Sequence, residues 1–447
     1  MSIPLQLLSG RVRRGMRAAH ARLRSPVETS AALERRQLSD IARIWADAVA
    51  DVPYFAQLVA DRRAPAAVRS WDDFRTIPVL TRQALQDQRE QFIRRSGPPD
   101  GYVNTAGSTG TPLRIGMSRR ERDLLRVVKL AEWQALGYRP SSRLFLIWGH
   151  QHLLGSGWQA DVGAARRSLV DWFLGYRRVD AYRLTPENCR DIAGQLIAFR
   201  PIGVIGYAAA LDLFARYTRE YRARLRALKL GFVLITTEAP PRDDTSSTLH
   251  DLFGCPIVEE YGGGDFGQVA FKRGSAPFHV YPDLNYVECD GVDASDPDAC
   301  PVLLTALYYR YLPLIRYRNG DGVVEPRRFA HGHVAAFERV AGRLTDAVAL
   351  DAGDAIHSLA IFHCVHNERE IYNVQMRLTD TGIEILLVAA PGADRGGMEA
   401  RIRPRLGRVH PKLAAARFTY VDDVETSRAG KRRWCIDERT VKPLCVA

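Results

Sequence analysis

The sequence contains no hydrophobic stretch long enough for a transmembrane helix, and it contains few cysteines. No apolar run approaches the roughly 20 residues that are needed to cross a bilayer. The short apolar patch before Gly10 is followed by arginine rather than by a small-residue cleavage site, so we expect no signal peptide. The seven cysteines are scattered, with no C-x-x-C pair, which favours reduced thiols over disulfides. These absences predict a cytoplasmic protein.

Acidic residues are fewer than basic ones, which gives a formal net charge of +12. Most of the basic excess is mixed with acids, but residues 1–24 hold six arginines and no acid. This arm has two interpretations: weak contact with an anionic membrane surface, or a solvated basic terminus, which we favour. No stretch resembles a nucleic-acid-binding signature, so we expect no nucleic acid partner.

The order of apolar and turn-forming segments predicts an α/β protein of two or three domains. A chain of 447 residues is too long for one ordinary core. Strands alternate with helices in the middle of the chain, which is typical of a layered α/β domain with a largely parallel sheet. Ligands of such sheets bind at the carboxyl ends of the strands. The predicted strands are 143–148, 201–207, 231–237 and 256–260, and the helices between them are 209–228 and a helix ending at Phe253.

Helices are predicted before this sheet, and a strand-rich part is predicted after it. Apolar residues recur at helical spacing over 28–58 and are interrupted at Val52-Pro53. Thr81 is predicted to cap a helix that runs to Phe92, and 118–121 forms a capping box for a helix ending at Gly137. The strands predicted beyond His279 have no helix between them and indicate a β-subdomain; they are 281–289, 301–307 and 314–318.

A compact α+β domain is predicted at the C-terminal end, from residue 343 to residue 447. Its predicted helix is 398–407, and its predicted strands are 356–365, 370–377, 383–388 and 417–421. His363, Cys364 and His366 are types of residue that bind metal, but alternation along a strand would split them between two faces. We therefore expect no zinc site there.

A loop rich in glycine and hydroxyl groups, residues 105–112, has the composition of a phosphate-binding loop. Ser108, Thr109 and Thr111 can each donate a hydrogen bond to a phosphate oxygen, and Gly110 permits a tight turn. Successive backbone N–H groups in such a turn form an anion-binding concavity. The loop is not a Walker A motif, because no lysine follows Gly110.

Four later stretches, read together with this loop, resemble a known superfamily. They are EYGGGD at 260–265, RYRNGD at 316–321, GRLTD at 342–346 and GK at 430–431. In this order and at this spacing the set resembles the adenylate-forming superfamily of acyl-CoA synthetases and adenylation domains. The segments 52–55 and 76–81 resemble more narrowly the phenylacetate-CoA ligase family, including its capsule-biosynthesis-associated branch. The resemblance runs from about residue 30 to the C-terminus.

The resemblance implies a fold and an activity. The fold is a large AMP-binding α/β domain with a β-subdomain over 1–342, followed by a small mobile α+β domain over 343–447. The activity is ATP- and Mg²⁺-dependent conversion of a small carboxylic acid to an acyl-adenylate, followed by acyl transfer to a thiol, which is CoA by family default. Three alternatives remain: transfer to the phosphopantetheine of a carrier protein, transfer to an amine, or a catalytically degenerate binding protein of the same fold.

The resemblance also implies which residues bind the nucleotide. Ser108, Thr109, Gly110 and Thr111 would hold the β- and γ-phosphates. Tyr261 would pack on the adenine. Asp321 would accept hydrogen bonds from the ribose hydroxyls. The remaining nucleotide-binding residues would be Gly262 beside Tyr261, Thr237 and Glu238 lining the adenine, and Arg343 at the ribose or phosphate.

Further residues are implied for chemistry, motion and substrate binding. Lys431 would contact the reacting carboxylate and the α-phosphate, and Asp346 falls at the hinge of the small domain. Asp265 would bind Mg²⁺, which prefers hard oxygen ligands. Two positions depart from the family pattern: Gly264 lacks a hydroxyl that relatives have, and Thr237 stands where relatives usually have glycine. Residues expected to border the acyl pocket are Tyr207 and Gly263, with Trp148 and Phe266 as further candidates.

Overall fold

The structure is a computed structural model, and no helix among its described residues is long and apolar enough to cross a membrane. The described residues are 29–104, 114–139, 142–148, 168–181, 183–237, 239–240, 242–291, 299–341, 347–351, 354–357, 361, 364–365, 368, 370–422, 424 and 435–440. Helices and strands follow one another in the order that a layered α/β fold requires. The helices are α1 Ser30–Asp51, α2 Pro53–Ala60, α3 Trp71–Thr76, α4 Arg82–Asp87, α5 Arg119–Ala135, α6 Pro186–Phe199, α7 Ala208–Tyr217, α8 Arg222–Arg226, α9 Thr245–Phe253, α10 Arg395–Val409 and α11 Pro411–Ala414.

The strands assemble into a large mixed sheet and several smaller ones. The strands are β1 Leu80–Thr81, β2 Gly101–Asn104, β3 Arg114–Met117, β4 Leu144–Ile147, β5 Tyr176–Val179, β6 Arg183–Leu184, β7 Gly203–Tyr207, β8 Phe232–Thr236, β9 Ile257–Gly263, β10 Gly267–Arg273, β11 Phe278–Val280, β12 Asn285–Cys289, β13 Ala299–Ala306, β14 Tyr317–Val324, β15 Arg327–Arg328, β16 Val334–Phe337, β17 Arg339–Ala341, β18 Ala347–Asp351, β19 Asp354–His357, β20 Ile371–Thr379, β21 Gly382–Ala389, β22 Arg417–Tyr420 and β23 Cys435–Asp437.

The large sheet confirms the predicted parallel pairing and extends it. Its order is β15-β16-β11-β10-β9-β8-β7-β4-β5, and the five strands from β9 to β5 are parallel. The other four add antiparallel strands beyond β9, which the sequence pattern did not predict. Tyr207 pairs with Thr236, and Ile235 pairs with Glu259, so the carboxyl ends of β7, β8 and β9 lie side by side.

Helices cover both faces of the parallel strands. On one face, Trp133 of α5 packs in a core with Phe232 and Val258. On the other face, Phe214 of α7 stacks on Phe253 of α9 within a second core that includes α6 residues. The parallel strands are therefore buried on both sides, as their continuous apolar sequences require.

A second sheet forms the predicted β-subdomain. Its order is β1-β14-β13-β12, with β17 added to β14. The third predicted strand is shifted along the chain: β14 begins at Tyr317 rather than at 314, because the preceding Arg316 has a φ of +48°. Such a φ lies in the left-handed region and breaks an extended strand. As a result of this shift, β14 contains Tyr317, Asn319 and Asp321, which are two positions apart along the strand.

The C-terminal residues form a separate core. A sheet of order β22-β21-β20-β23 packs against α10, whose Met398, Ile402 and Leu406 are fully buried. The hairpin of β18 and β19 contributes to the same core and also pairs with β6 of the preceding part of the chain. The boundary between residues 342 and 343 remains a prediction.

Further sequence-based predictions of local structure are wrong in detail. The helix that Thr81 caps ends at Asp87 rather than at Phe92, and the strand predicted from residue 281 begins at Asn285. The helix predicted over 209–228 ends at Tyr217, where the Thr218 hydroxyl donates to the Phe214 carbonyl at 2.6 Å and competes with the backbone bond. Ser118 caps α5, but the Glu121 carboxylate turns into the core instead of closing the capping box. Cys364 and Val365 are helical, so the strand predicted to run to 365 ends at His357.

Candidate functional site

A cavity of about 1860 Å³ opens at the carboxyl ends of the parallel strands. It is lined by the ends of β8 and β9, the β9–β10 turn, α5 and part of β14. This is the edge of an open α/β sheet where ligands bind. Of the predicted site residues, the lining contains Thr237, Tyr261, Gly262, Gly263, Asp265 and Asp321.

Tyr261, Asn319 and Asp321 form a hydrogen-bonded cluster in this cavity. The Tyr261 hydroxyl donates to Asp321 Oδ2 at 3.1 Å, and the Asn319 amide donates to the same oxygen at 2.7 Å. Asn319 Nδ2 also donates to the Tyr261 hydroxyl oxygen at 2.9 Å. Because both neighbours converge on Oδ2, the position of the Asp321 carboxylate is fixed before any ligand binds.

The Tyr261 side chain is an apolar surface with a neutral hydroxyl. Its ring lies 5.9 Å from the rings of Phe266 and Phe337, the latter edge-on. Burial, and then the charge of Asp321, raise the pKa of the Tyr261 phenol well above its ordinary value. The phenol therefore stays protonated and keeps donating to Asp321 at any physiological pH.

The predicted metal ligand, Asp265, is held from two sides. Its Oδ2 accepts a hydrogen bond from the Tyr317 hydroxyl at 3.0 Å and lies 4.0 Å from Arg82 Nη1. Its backbone carbonyl accepts from Arg310 Nη2 at 2.6 Å. Arg310 in turn lies with its Nε 3.0 Å from Glu121 Oε1, and both side chains are almost completely buried. A buried ion pair therefore anchors the turn that carries Asp265.

The donor set at Asp265 fits Mg²⁺ in one way. No group of three or more His, Cys, Asp or Glu side chains that could hold a metal occurs in the described ranges. Mg²⁺ does not need such a group, because it keeps several waters and takes one or two carboxylates together with substrate phosphates. Tyr317 and Arg82 both approach Oδ2, so Oδ1 is the oxygen suited to the cation.

Packing explains the two glycines that follow Tyr261. A Cβ on Gly262 would lie 2.6 Å from the Gly267 carbonyl oxygen across the β9–β10 hairpin. A Cβ on Gly263 would lie 2.6 Å from the Phe266 ring and 2.8 Å from Asp265 Oδ1. Both glycines are thus required by the tight turn that presents Asp265, whatever ligand binds.

Thr237 occupies a strained position at the end of β8. Its φ is +83°, which a β-branched residue adopts only at a cost in free energy. Thr237 is exposed and lines the cavity. The strain explains why glycine suits this position. Backbone strain of this kind contributes on the order of 1–3 kcal/mol against the folded state.

The other predicted site residues divide into two groups. Tyr207 is buried at the end of β7, with its ring 4.6 Å from Trp148, and Trp148 rather than Tyr207 lines the cavity. The second group lies outside the described residues, so its roles stay predictions; it consists of Ser108, Thr109, Gly110, Thr111, Glu238, Arg343, Asp346 and Lys431. The basic arm, residues 1–24, also lies outside them.

Several residues of the site were not predicted from the sequence. Tyr317 and Asn319 were within reach of sequence reasoning, because they precede Asp321 by four and two residues and so share its face of a strand. Arg82 and Arg310 carry no comparable signal. They are distant in sequence from Asp265 and reach it only through the packing of α4 and of the loop before β14.

We expect Asp265→Asn to raise the concentration of Mg²⁺ that ligand binding requires. The amide keeps an oxygen for Tyr317 but is a poorer ligand for a hard cation than a carboxylate. The measurement is calorimetric titration of ATP at a series of Mg²⁺ concentrations, with Asp283→Asn, a surface carboxylate paired with Arg36, as the control. An unchanged Mg²⁺ dependence would place the cation elsewhere.

Comparison with known proteins identifies relatives in sequence. No protein-family model matches the chain. Protein CapK of Staphylococcus aureus is 19% identical over 271 residues, covering 59% of this chain and 59% of CapK. The chain therefore spans less than two thirds of that relative. Phenylacetate-coenzyme A ligase of Escherichia coli (strain K12) is 23% identical over 313 residues, covering 66% of this chain and 68% of the ligase.

Solved structures show the same fold. One is 2-hydroxyisobutyryl-CoA ligase in the postadenylation state with R3-HIB-AMP, at 14% identity and a TM-score of 0.51, covering 92% of this chain and 89% of that one. The same ligase with 2-HIB-AMP and CoA in the thioesterification state gives 16% identity and a TM-score of 0.52, covering 94% and 92%. The predicted fold class is confirmed, and so is the predicted resemblance to the phenylacetate-CoA ligase and CapK branch.

Proposed function

Because this chain has the fold of the adenylate-forming acyl-CoA ligases and is similar in sequence to phenylacetate-CoA ligase and CapK, we propose that it is an adenylate-forming ligase. It uses ATP to convert a carboxylic acid to an acyl-adenylate with release of pyrophosphate. It then passes the acyl group to a thiol, for which CoA is the first candidate. A carrier-protein phosphopantetheine or an amine is the alternative acceptor.

The cluster of Tyr261, Asn319 and Asp321 is the observation that carries this proposal. The Asp321 carboxylate is held in place by the Tyr261 and Asn319 donors, and a ribose offers two hydroxyl donors to a carboxylate in that position. The apolar ring of Tyr261 beside it suits a purine face. The cluster lies at the sheet edge where the fold binds its ligands.

The chemistry asks the protein mainly to position two anions and to stabilise charge. The substrate carboxylate attacks the α-phosphorus, and the bond to pyrophosphate breaks. We assign the ribose to Asp321, the β- and γ-phosphates to the loop of Ser108, Thr109 and Thr111, and the developing charge at the α-phosphate to Lys431. Mg²⁺ held by Asp265 would offset charge on the phosphate oxygens.

A binding protein that kept the fold is the second candidate. Two features favour it. Gly264 offers no side-chain donor, and Arg82 lies 4.0 Å from the Asp265 carboxylate that a cation would use. A guanidinium so close to a cation site opposes metal binding by charge repulsion.

Exchange of labelled pyrophosphate into ATP separates the two candidates. The protein is incubated with ATP, Mg²⁺, labelled pyrophosphate and a panel of aryl, fatty, hydroxy and amino acids. We expect label to enter ATP only when a suitable acid is present. If the protein binds AMP but none of the acids produces exchange, it is a binding protein, and the ligase proposal is then wrong. Repeating the screen with CoA identifies the acceptor.

We expect Asp321→Asn to weaken ATP and AMP binding. The substitution removes the negative charge that accepts from the ribose, and a charge-assisted hydrogen bond is worth about 1.5–3 kcal/mol. Calorimetric titration measures the loss. Tyr261→Phe is the matched control, because it deletes the hydroxyl that donates to Asp321 but keeps the carboxylate and the aromatic ring. Equal losses in both variants would mean that the cluster acts only as structure.

A further inference from the structure

The cavity has a second wall, on the opposite side of β9 from Tyr261. This wall is polar, so it does not suit the acyl chain of an apolar acid. Four residues form it, and we call them the polar wall: Lys129 and Glu132 of α5, Glu260 of β9 and Gln268 of β10. Lys129, Glu260 and Gln268 line the cavity, and Glu132 lies behind them. Residues next to each other on a strand face opposite sides, so Glu260 and Tyr261 point to different parts of the cavity.

The polar wall is buried and incompletely hydrogen-bonded. The Glu260 side chain is 6% exposed, and Gln268 is 8% exposed. Gln268 Nε2 donates to Glu132 Oε2 at 3.3 Å, and Lys129 Nζ lies 4.0 Å from Glu260 Oε2. Glu132 Oε1, Glu260 Oε2 and Gln268 Oε1 have no hydrogen-bond partner within the part of the chain that the structure describes. Buried polar atoms without partners are costly, so the two that belong to cavity-lining residues, Glu260 and Gln268, point to a ligand that pairs with them.

The polar wall contains a hydrogen-bond donor as well as acceptors. Burial, and then the charge of Glu260, raise the pKa of Glu132 well above its ordinary value, which favours the protonated carboxyl. The Lys129 ammonium lies 4.0 Å from Glu260 Oε2, which is beyond hydrogen-bond distance. At the cavity surface the wall offers acceptors, Glu260 and Gln268, and a donor, the Lys129 ammonium, and a hydroxyl group pairs with both kinds.

We propose that the polar wall selects a carboxylic acid that carries a hydroxyl group on its acyl chain. This inference rests on the proposed function, which places the nucleotide at Tyr261 and Asp321 and so leaves the α5 side of the cavity for the acid. A site that hydrogen-bonds a substrate hydroxyl discriminates strongly against the analogue without it, because the buried polar groups of the site then stay unpaired. Phenylacetate and unsubstituted fatty acids are poor substrates on this basis.

The test compares matched acids by kcat/KM for pyrophosphate release. The panel is butanoate with its 2-, 3- and 4-hydroxy and amino derivatives, and phenylacetate with its ring-hydroxylated and ring-aminated derivatives. We expect at least one hydroxylated acid to exceed its parent by about 100-fold or more. If the parent acids have the same kcat/KM as all of their derivatives, the inference is overturned and the ligase assignment stays intact. An amino acid preferred over its hydroxy counterpart also overturns it.

Two variants test whether the polar wall is responsible. Gln268→Met keeps the side-chain length but removes an acceptor, so the ratio of kcat/KM between hydroxylated and parent acids should fall toward one. Lys129→Met leaves the Glu260 charge unbalanced, so the preference should move from hydroxyl toward ammonium. Because Lys129 is 38% exposed, Lys129→Met is the variant that decides the test if Gln268→Met does not fold. A preference unchanged in the folded variants contradicts the role of the wall.

The substrate inference can still be tested if no acid gives turnover. In that case the proposed function fails, and the substrate inference is decided by calorimetry of the same acids in the presence of AMP. Tighter binding of a hydroxylated acid than of its parent, lost in Gln268→Met, supports the inference without catalysis. Equal binding, or binding of none, overturns it.

Discussion

Arg310→Met is expected to destabilise the folded state by about 3–5 kcal/mol, because it breaks a buried ion pair and leaves Glu121 without its counter-charge. The Arg310 side chain is 2% exposed and that of Glu121 is 0% exposed. Arg310 also donates to the Asp265 carbonyl at 2.6 Å, so the β9–β10 turn loses its anchor in the same variant. Urea unfolding followed by tryptophan fluorescence measures the change as a lower midpoint.

The control for Arg310→Met is an exposed ion pair on the same domain. Arg327 lies 2.6 Å from Glu338, with side-chain exposures of 65% and 34%, and such pairs contribute about 0–1 kcal/mol. Arg327→Met should therefore shift the midpoint little. The double variant Glu121→Leu with Arg310→Met should recover the part of the loss that comes from the unpaired Glu121 charge, since apolar residues of similar volume often replace a buried pair without cost. The hydrogen bonds to the Asp265 carbonyl and from the Tyr311 N–H stay lost. A single variant as stable as the control would show that Glu121 tolerates burial alone.

The parallel sheet could be predicted from the sequence because its strands are apolar throughout. The segment Leu144–Ile147 and the strands at Gly203–Tyr207 and Phe232–Thr236 are buried on both faces, and helices separate them along the chain. The antiparallel extension could not be predicted from the sequence pattern alone. Gly267–Arg273 carries glutamine, lysine and arginine, and its pairing depends on the hairpin after Tyr261 rather than on an apolar pattern.

Candidate site residues were predictable where a motif keeps them close together in sequence. Tyr261 and Asp265 belong to one stretch and Asp321 to another, and the fold brings both stretches to one cavity. The contact of Arg310 with Glu121 was not predictable, because it joins positions 189 residues apart; Arg310 belongs to no motif, and the capping-box pattern assigned the Glu121 carboxylate to the helix terminus instead. The polar wall was not predicted for a related reason. Charged residues of a helix, such as Glu132 and Lys129, are expected to face solvent, and only the packing of α5 on the sheet brings them to the cavity.

Lys431→Ala is expected to reduce carboxylate-dependent pyrophosphate exchange by about 10²–10³-fold. We assign Lys431 to the charge that develops between the attacking carboxylate and the α-phosphate, and loss of such a preorganised donor costs about 2.7–4 kcal/mol. The side chain acts in the first half-reaction only, if the C-terminal domain rotates about Asp346 between the two steps. Acyl transfer from a supplied acyl-adenylate should therefore survive in this variant. Lys412→Ala, an exposed lysine on α11, is the control and should keep both activities.

Asp346→Pro is the complementary variant and should show the reverse pattern. Proline fixes φ near −65°, so a hinge that must change its backbone angles cannot follow the rotation. If the domain is trapped in the adenylating orientation, pyrophosphate exchange persists while acyl transfer is lost. Equal loss of both half-reactions in the two variants, with folding verified by circular dichroism, would exclude the rotating-domain mechanism. Full activity in Lys431→Ala would instead make Lys431 a surface charge and leave the α-phosphate to another donor, for which Arg82, a cavity-lining residue 4.0 Å from Asp265, is one candidate.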